Sequence, residues 1–373
     1  MLRLFTAAAA ATGSRTMTIS PCSRLAPSAV RREQIETVRR MNDYFPEVVA
    51  QMKRLGDACQ LVGETTWLEK MLYYTVPGGK MTRAIIAYNG IVLLGGKDTP
   101  GIKEKAMNIA WSLEMLQAAI IAADDISDAT NTRRGRDAWH TIAGRDAVFD
   151  VMLVENCAYC LLGLHCEGEP YVRTLRHYTE IMFQISMGQN QDNHCRDSEG
   201  LAKTNEFTME KYVPICQHKS GGYSFYLPMA TALNVSGIFD KAAHDAALDL
   251  SKDLGLLYQV QDDYLDIYGV LKKMGKVRSD IRNGKCTWLI IEALNRANDE
   301  QRRRLKENYG YDDEKKIANV MEVFAEMKMK EVFLRWEKSM MDAIEKKIHK
   351  YSDVVRPELF IHALEAIKYH VNR

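Results

Sequence analysis

The chain has no excess of charge of either sign: 50 Lys and Arg stand against 49 Asp and Glu over 373 residues, a net charge of +1. A balanced chain lacks the overall field of a nucleic-acid binder, so no nucleic-acid partner is expected. Any anionic ligand must then be met by local clusters. Long apolar runs are missing as well. The longest fall short of the ~20 residues that a spanning helix needs, so no membrane span is expected. Proline is scarce, at 9 residues, and several mark helix borders. No Pro/Gly/Ser-rich linker interrupts the chain beyond residue 35, which argues for one large domain despite the length. The 9 histidines show no metal spacing. Among the 8 cysteines, Cys157, Cys160 and Cys166 cluster in CAYCLLGLHC beside His165. They lack the second ligand pair of a zinc site and the strand–helix setting of a redox motif. They read as small thiols packed in an apolar helix, and reduced cysteines suit an intracellular protein. A phosphate loop is absent too, because the Gly-Gly-Lys at 78–80 is not followed by the rest of that pattern. No Ser-His-Asp or Cys-His signature suggests a side-chain nucleophile.

What is present starts with a leader. Residues 1–32 contain Arg3, Arg15, Arg24, Arg31 and Arg32 among Ala, Ser and Thr, and the first acid is Glu33. That composition predicts a mitochondrial transit peptide over 1–34, with a disordered tail as the plainer alternative. Met17 offers an internal start for a cytosolic form. From residue 35 to 373 helix-period patterns dominate. In 103–123, Met107, Trp111, Leu113, Leu116, Ile120 and Ile121 recur at buried-helix spacing. Similar patterns predict helices over 34–53, 82–95, 146–165, 170–190, 208–232, 240–267, 281–296, 314–347 and 357–370. The one weak hairpin signal is Asn283-Gly284 in a basic loop. Helices apolar over much of their circumference must bury one another, so the fold class is all-α, a helical bundle.

Two acidic clusters stand out. Asp124, Asp125 and Asp128 end the helix that starts near 103, and Asp262, Asp263 and Asp266 end another. Asp124 and Asp128 are one turn apart on one face, where like charges repel. One such patch is usually a solvated surface. Two copies of D-D-x-x-D beside apolar stripes fit hard divalent cations, Mg²⁺ above all, which combine a few carboxylates with water and phosphate oxygens. Gln117 falls on the same helix face as Asp124 and Asp128. Basic residues for a phosphorylated substrate are also at hand: Lys80 and Arg83 after two glycines, Arg133, Arg134 and Arg136 in TRRGR, Lys219 mid-helix, and Lys276 in a loop with Lys272, Lys273 and Arg278.

In this order GGKMTR, LEMLQAAIIAADDISDATNTRRG, FTMEKY, HKSGGYSFYLP, YQVQDDYLDIYG and GKVRSDIRNGKCTWL resemble the trans-prenyl diphosphate synthases, with the eukaryotic farnesyl diphosphate synthases nearest. The likeness covers about 40–370. It implies a bundle of about ten core helices around a cavity, and a homodimer. By the same resemblance Asp124, Asp128 and Asp262 would hold three Mg²⁺, with Mn²⁺ or Co²⁺ as possible substitutes, on an allylic diphosphate. Asp125, Asp263 and Asp266 would support or complete those shells. Arg133, Lys219 and Lys276 would grip the same diphosphate, with Ser220, Tyr258 and Gln259 nearby. Lys80, Arg83, Gln117 and Arg134 would bind isopentenyl diphosphate. The implied reaction condenses the two through an allylic cation to geranyl or farnesyl diphosphate.

Several positions depart from the family pattern. Ala119 and Ile120, one turn before Asp124, would form the pocket floor where the farnesyl enzymes tend to place bulky aromatics. Gly221 and Gly222 follow Ser220 where a bulky residue is common, and are expected to loosen the helix and free volume. GGKMTRA replaces the common GGKxNRG. Beside an ordinary geranyl or farnesyl diphosphate synthase, these departures leave a synthase that makes or accepts a larger or branched chain, and a terpene synthase that ionises a finished prenyl diphosphate. A non-catalytic partner subunit is the alternative from another class.

Overall fold

The computed structural model of the chain describes residues 27–60, 62–193, 202–269 and 278–368. The leader residues before 27 and the loop bearing Lys276 lie outside the described residues. The first helix, α1 (Pro27–Ala58), begins inside the stretch read as leader. A 3₁₀ turn then leads into α2 (Thr65–Thr75), and α3 (Thr82–Leu94) and α4 (Ile102–Ser127) follow. α4 is the axis of the bundle, packed mainly against α3 and α6 (Ala147–His165). Almost every residue from Ala106 to Ala119 is buried, so no polar face interrupts its packing. α5 (Trp139–Ala143) precedes α6, and α7 (Gly168–Asn193) runs beside it.

The predicted helix 208–232 is one continuous run of three geometries. α8 (Met209–Cys216) passes into a π-helical segment, Gln217–Tyr226, and then into α9 (Leu227–Val235). Gly221 explains the closeness of this run to α10 (Lys241–Tyr268). A Cβ at Gly221 would lie 2.8 Å from the Ser251 carbonyl oxygen, and one at Gly255 of α10 would collide with the Gly221 backbone. This corrects the expectation of freed volume: Gly221 lets two backbones touch. Gly222 faces α7, where a Cβ would meet Ile181 at 3.2 Å.

Two hydrophobic clusters share the chain. The larger joins α1–α7, α9 and the first half of α10 to α16 (Pro357–Lys368). The smaller gathers Val260, Tyr264 and Ile267 of α10 with α12 (Trp288–Arg296), α14 (Glu314–Glu326) and α15 (Met329–Lys350). α10 therefore crosses from one core to the other near Asp262.

Local differences from the sequence reading have physical causes. The predicted helix 314–347 is broken into α14 and α15, because Lys328 takes a left-handed φ of 53°. α2 and α13 (Asp299–Asn308) were not predicted. α13 is polar enough to hide its period, but its Asn298/Gln301 capping box was readable. Asn283-Gly284 makes no hairpin. It ends α11 (Ser279–Arg282), with Gly284 at φ 61°. The two short strands come elsewhere, Thr132–Arg133 pairing with Arg136–Asp137 inside TRRGRD. Two helical stretches, Ile102–Ser127 and Trp139–His165, are by length and mean composition apolar enough to cross a membrane, although no uninterrupted apolar run is that long. The first is 78% buried in the bundle, and the second 39%.

Candidate active site

Both acidic clusters occupy the last turns of their helices. Carboxylates there oppose the helix dipole as well as one another, so folding alone gives no reason for them. Asp124 is half-buried, Asp125 buried, and Asp128 exposed as the C-cap of α4. Burial, and then the charge of Asp128, push the Asp124 carboxyl above its ordinary range, against the pull of Lys219, Lys285 and Arg133. Asp124 is also fastened on both sides. Gln189 Nε2 of α7 donates to its Oδ1 at 2.9 Å, and Arg133 Nη2 lies 3.6 Å from its Oδ2. Arg133 binds Asp125 Oδ1 more closely, at 2.8 Å through Nε and 2.5 Å through Nη2.

The second cluster is anchored differently. Asp263 is buried, and Tyr212 Oη and the Trp288 N–H donate to its Oδ2 at 2.6 and 2.8 Å. Gln259 Nε2 donates to its Oδ1 at 3.1 Å, and Ser220 Oγ donates to Gln259 Oε1 at 2.9 Å. The π-helical segment, α8, α10 and α12 are thus tied through one carboxylate. Burial raises its pKa to about 6 despite those donors. Asp266 accepts from Ser279 N, Ser279 Oγ and Asp280 N at 3.1, 2.7 and 2.9 Å, closing the chain beyond the loop that holds Lys276. Asp262, half-buried, is the member of the cluster whose charge reaches both Asp263 and Asp280.

The basic residues fall in two groups. Lys219 lies in the π-helical segment, and its charge reaches Asp124 of α4. Non-standard helical turns of this kind are frequent at functional sites. Arg134, at φ 53°, folds over the loop before α3, where its Nη1 donates to the Pro77 carbonyl at 2.7 Å and its guanidinium covers Gly78 and Gly79. The exposed Lys80 shares that loop. Arg83 is held by Ser224 Oγ at 2.7 Å and lies 4.2 Å over the Tyr223 ring. Gln117 keeps a buried Oε1 that has no partner among the described residues. Ala119 is buried and Ile120 half-buried against the main core, and Tyr258 meets Phe225 edge-on at 5.9 Å.

The donor set suits divalent cations. Burial and then the charge of Asp128 hold the Asp124 carboxyl up even with Lys219, Lys285 and Arg133 acting the other way, as expected of two carboxylates that share a face. Among the described residues no three His, Cys, Asp or Glu side chains converge into a ready-made cage. Sites that take one or two carboxylates and complete themselves with phosphate oxygens and water do not require one.

A family profile described as polyprenyl synthetase matches residues 65–327. That span includes both acidic clusters, the hairpin arginines and the π-helical segment. The chain belongs to the polyprenyl synthetase family. It is 34% identical to the farnesyl pyrophosphate synthase of Gallus gallus over 344 residues, covering 90% of this chain and 92% of the relative. Identity to the farnesyl pyrophosphate synthase of Saccharomyces cerevisiae is 33%, over 87% of this chain and 92% of that one. With the Panax ginseng farnesyl pyrophosphate synthase it is 36%, over 76% and 84%. This polyprenyl synthetase is a trans-prenyltransferase on the all-α fold of its family. Sequence reasoning missed Gln189 and Lys285. Gln189 lies in the amide-rich end of α7, GQNQDN, which was the available signal.

Proposed function

We propose that this polyprenyl synthetase joins isopentenyl diphosphate to dimethylallyl and then geranyl diphosphate, releasing farnesyl diphosphate. The reading is supported by one cation that reaches the ends of both α4 and α10: Lys285 acts on Asp124 and on Asp280, whose N–H bonds to Asp266. Two basic groups accompany these carboxylates. One group, Arg133 and Lys219, suits the allylic diphosphate, and on the sequence reading Lys276, outside the described residues, would join it. The other, Lys80, Arg83, Gln117 and Arg134, suits isopentenyl diphosphate. An enzyme that only ionised a finished prenyl diphosphate would have no use for the second.

Mg²⁺ is the proposed cofactor, held by Asp124, Asp128 and Asp262; when bound, it supplies positive charge for the departing diphosphate. Asp125 would keep Arg133 in place, and Asp263 and Asp266, whose oxygens already accept from protein donors, would brace the α10 side. Arg133 and Lys219 would orient the leaving diphosphate and stabilise its growing charge, as preorganised electrostatic groups do. The apolar walls near Ala119, Ile120 and Tyr258 would keep water from the allylic cation until the isopentenyl double bond attacks it. The proton lost in the last step would leave with the released pyrophosphate.

A homodimer is proposed on the apolar residues that α6 and α7 leave exposed, among them Val148, Phe149, Met152, Phe183 and Met187. Mitochondrial import is proposed on the basic, acid-free leader.

The test supplies purified protein and Mg²⁺ with isopentenyl plus dimethylallyl diphosphate in one tube, and with geranyl, farnesyl or geranylgeranyl diphosphate alone in another. Longer diphosphates in the first tube support the reading, and their length reports the floor at Ala119 and Ile120. Terpenes from the second tube without elongation in the first would mean a terpene synthase. No turnover without a partner chain would mean a modulating subunit.

A further inference from the structure

Beneath the basic group assigned to isopentenyl diphosphate lies a buried carboxylate with no assigned part. Glu114 of α4 is 3% exposed. Among the described residues its one hydrogen bond comes from the Ala84 N–H at 3.3 Å, which sets the carboxylate beside Arg83 at the start of α3. Among the described residues it makes no ion pair. The Arg83 guanidinium is instead directed by Ser224 and Tyr223. Three buried polar atoms around this point have no partner among the described residues: Arg83 Nε, Gln117 Oε1, one turn along α4 from Glu114, and Tyr223 Oη. An ionised carboxylate withdrawn from water normally gathers several donors or a contacting cation. Glu114 has neither, which is the arrangement expected of an acid that can be held neutral.

The charged and titratable groups that act on Glu114 are Arg83 from α3, Arg134 from the hairpin and Tyr223 from the π-helical segment. On the α6 side, Asp150 is occupied by the Nε1 groups of Trp67 and Trp139. On the side of α1 and α6, His165 bonds to Gln51, and Gln51 to Asn108, more than a turn of α4 away. Burial raises the Glu114 carboxyl above its ordinary range, ahead of the opposing pull of Arg83.

We infer that Glu114 is a positioning residue that takes up a proton when a diphosphate binds at Arg83, and so sets the pH range over which that site accepts its anion. The inference rests on the isopentenyl reading of Arg83 proposed above. Ionised Glu114 would offset the Arg83 charge and repel the diphosphate. A proton moved from solvent onto Glu114 removes the repulsion and leaves Arg83 to the ligand. No substrate bond changes in this step.

Isopentenyl diphosphate with a chelator present is the probe, because it excludes metal-assisted binding at the acidic clusters. Titration calorimetry of the full chain in two buffers of different ionisation enthalpy reads the protons taken up, from pH 6 to 9. Wild type should take up more protons than Glu114→Gln, and the proton on the ligand itself cancels in that difference. As pH rises, wild-type affinity should fall relative to the variant by roughly tenfold for each unit of pKa displacement. Equal uptake by both proteins, or a variant that binds more weakly with an unchanged pH profile, overturns the inference. If Glu114→Gln does not fold, infrared difference spectra of wild type replace it. A carboxylic-acid carbonyl band that grows on binding supports the inference, and its absence overturns it. No binding by wild type, or binding unmoved by Arg83→Ala, overturns both this inference and the isopentenyl reading. Binding without the excess proton overturns this inference alone.

Discussion

Asp263 is the second carboxylate of its motif and Asp124 the first of the other copy, and their surroundings differ. Asp263 satisfies three donors from Tyr212, Trp288 and Gln259 inside the protein. Asp124 stands half-exposed beside a like charge. Replacing Asp263 by Ala strands buried donors, each worth about 1–3 kcal/mol when unsatisfied. Asp263→Ala should therefore lower the urea midpoint clearly and cost activity as well. Asp124→Ala or Asp262→Ala should cut turnover by orders of magnitude, with a near-native circular dichroism spectrum, and Asp124→Ala should leave the midpoint almost unchanged, because it relieves repulsion on α4. Near-wild-type turnover in Asp124→Ala or Asp262→Ala would refute the assignment of those carboxylates.

At the scale of elements, the contact between the π-helical segment and α10 decides where Lys219, Ser220 and Gln259 stand relative to Asp262. It depends on Gly221 and Gly255, at which a Cβ would meet backbone and not a side chain that could turn aside. Gly221→Ala should cost about 1–3 kcal/mol of stability, as overpacking does. It should also lower turnover, because the Ser220–Gln259–Asp263 chain would be pushed apart. Gly222→Ala, whose neighbour is the Ile181 side chain, should be milder on both counts. Equal effects of the two variants in thermal unfolding and steady-state rate would contradict this account of the helix contact.

For the whole molecule, two predictions concern stability and assembly. His177 is buried beside Tyr226, Asn234 and His244, and burial, followed by the charges of His244, Arg173 and Arg176, lowers its pKa to about 4. The unfolded chain binds that proton near pH 6.5, so His177 supports the fold fully above pH 6.5 and progressively less as pH falls toward 4. Asp263, raised to about 6, works the other way, because the native state holds its proton where the unfolded chain does not. The His177 part is isolated by comparing wild type with His177→Gln. Between pH 7 and 5 the wild type should lose about 2 kcal/mol more than the variant in urea unfolding. Parallel curves would show that His177 does not titrate this way. For assembly, Phe149→Glu with Phe183→Glu should convert a dimer to monomers in sedimentation velocity. An unchanged mass would place the subunit contact elsewhere or exclude it.

Much of this protein was legible in its residues. The helical class followed from the apolar period of segments such as 103–123, since burying an all-apolar cylinder demands other helices. The two D-D-x-x-D clusters were legible because charges that repel on one helix face need an outside reason. Local sequence could not assign different roles to carboxylates with the same spacing. Asp263 and Asp266 find their donors in Tyr212, Ser279 and Trp288, at separations of 51, 13 and 25 residues. Nor could it tell freed volume from contact at Gly221, since a missing side chain means space or touching backbones according to what folds against it. Glu114 looked like any acid in a helix until burial removed its water and set it beside Arg83. Periodicity and charge spacing act along the chain and are fixed by the sequence alone. Desolvation and long-range partners exist only when distant segments meet, so the tertiary structure decided them.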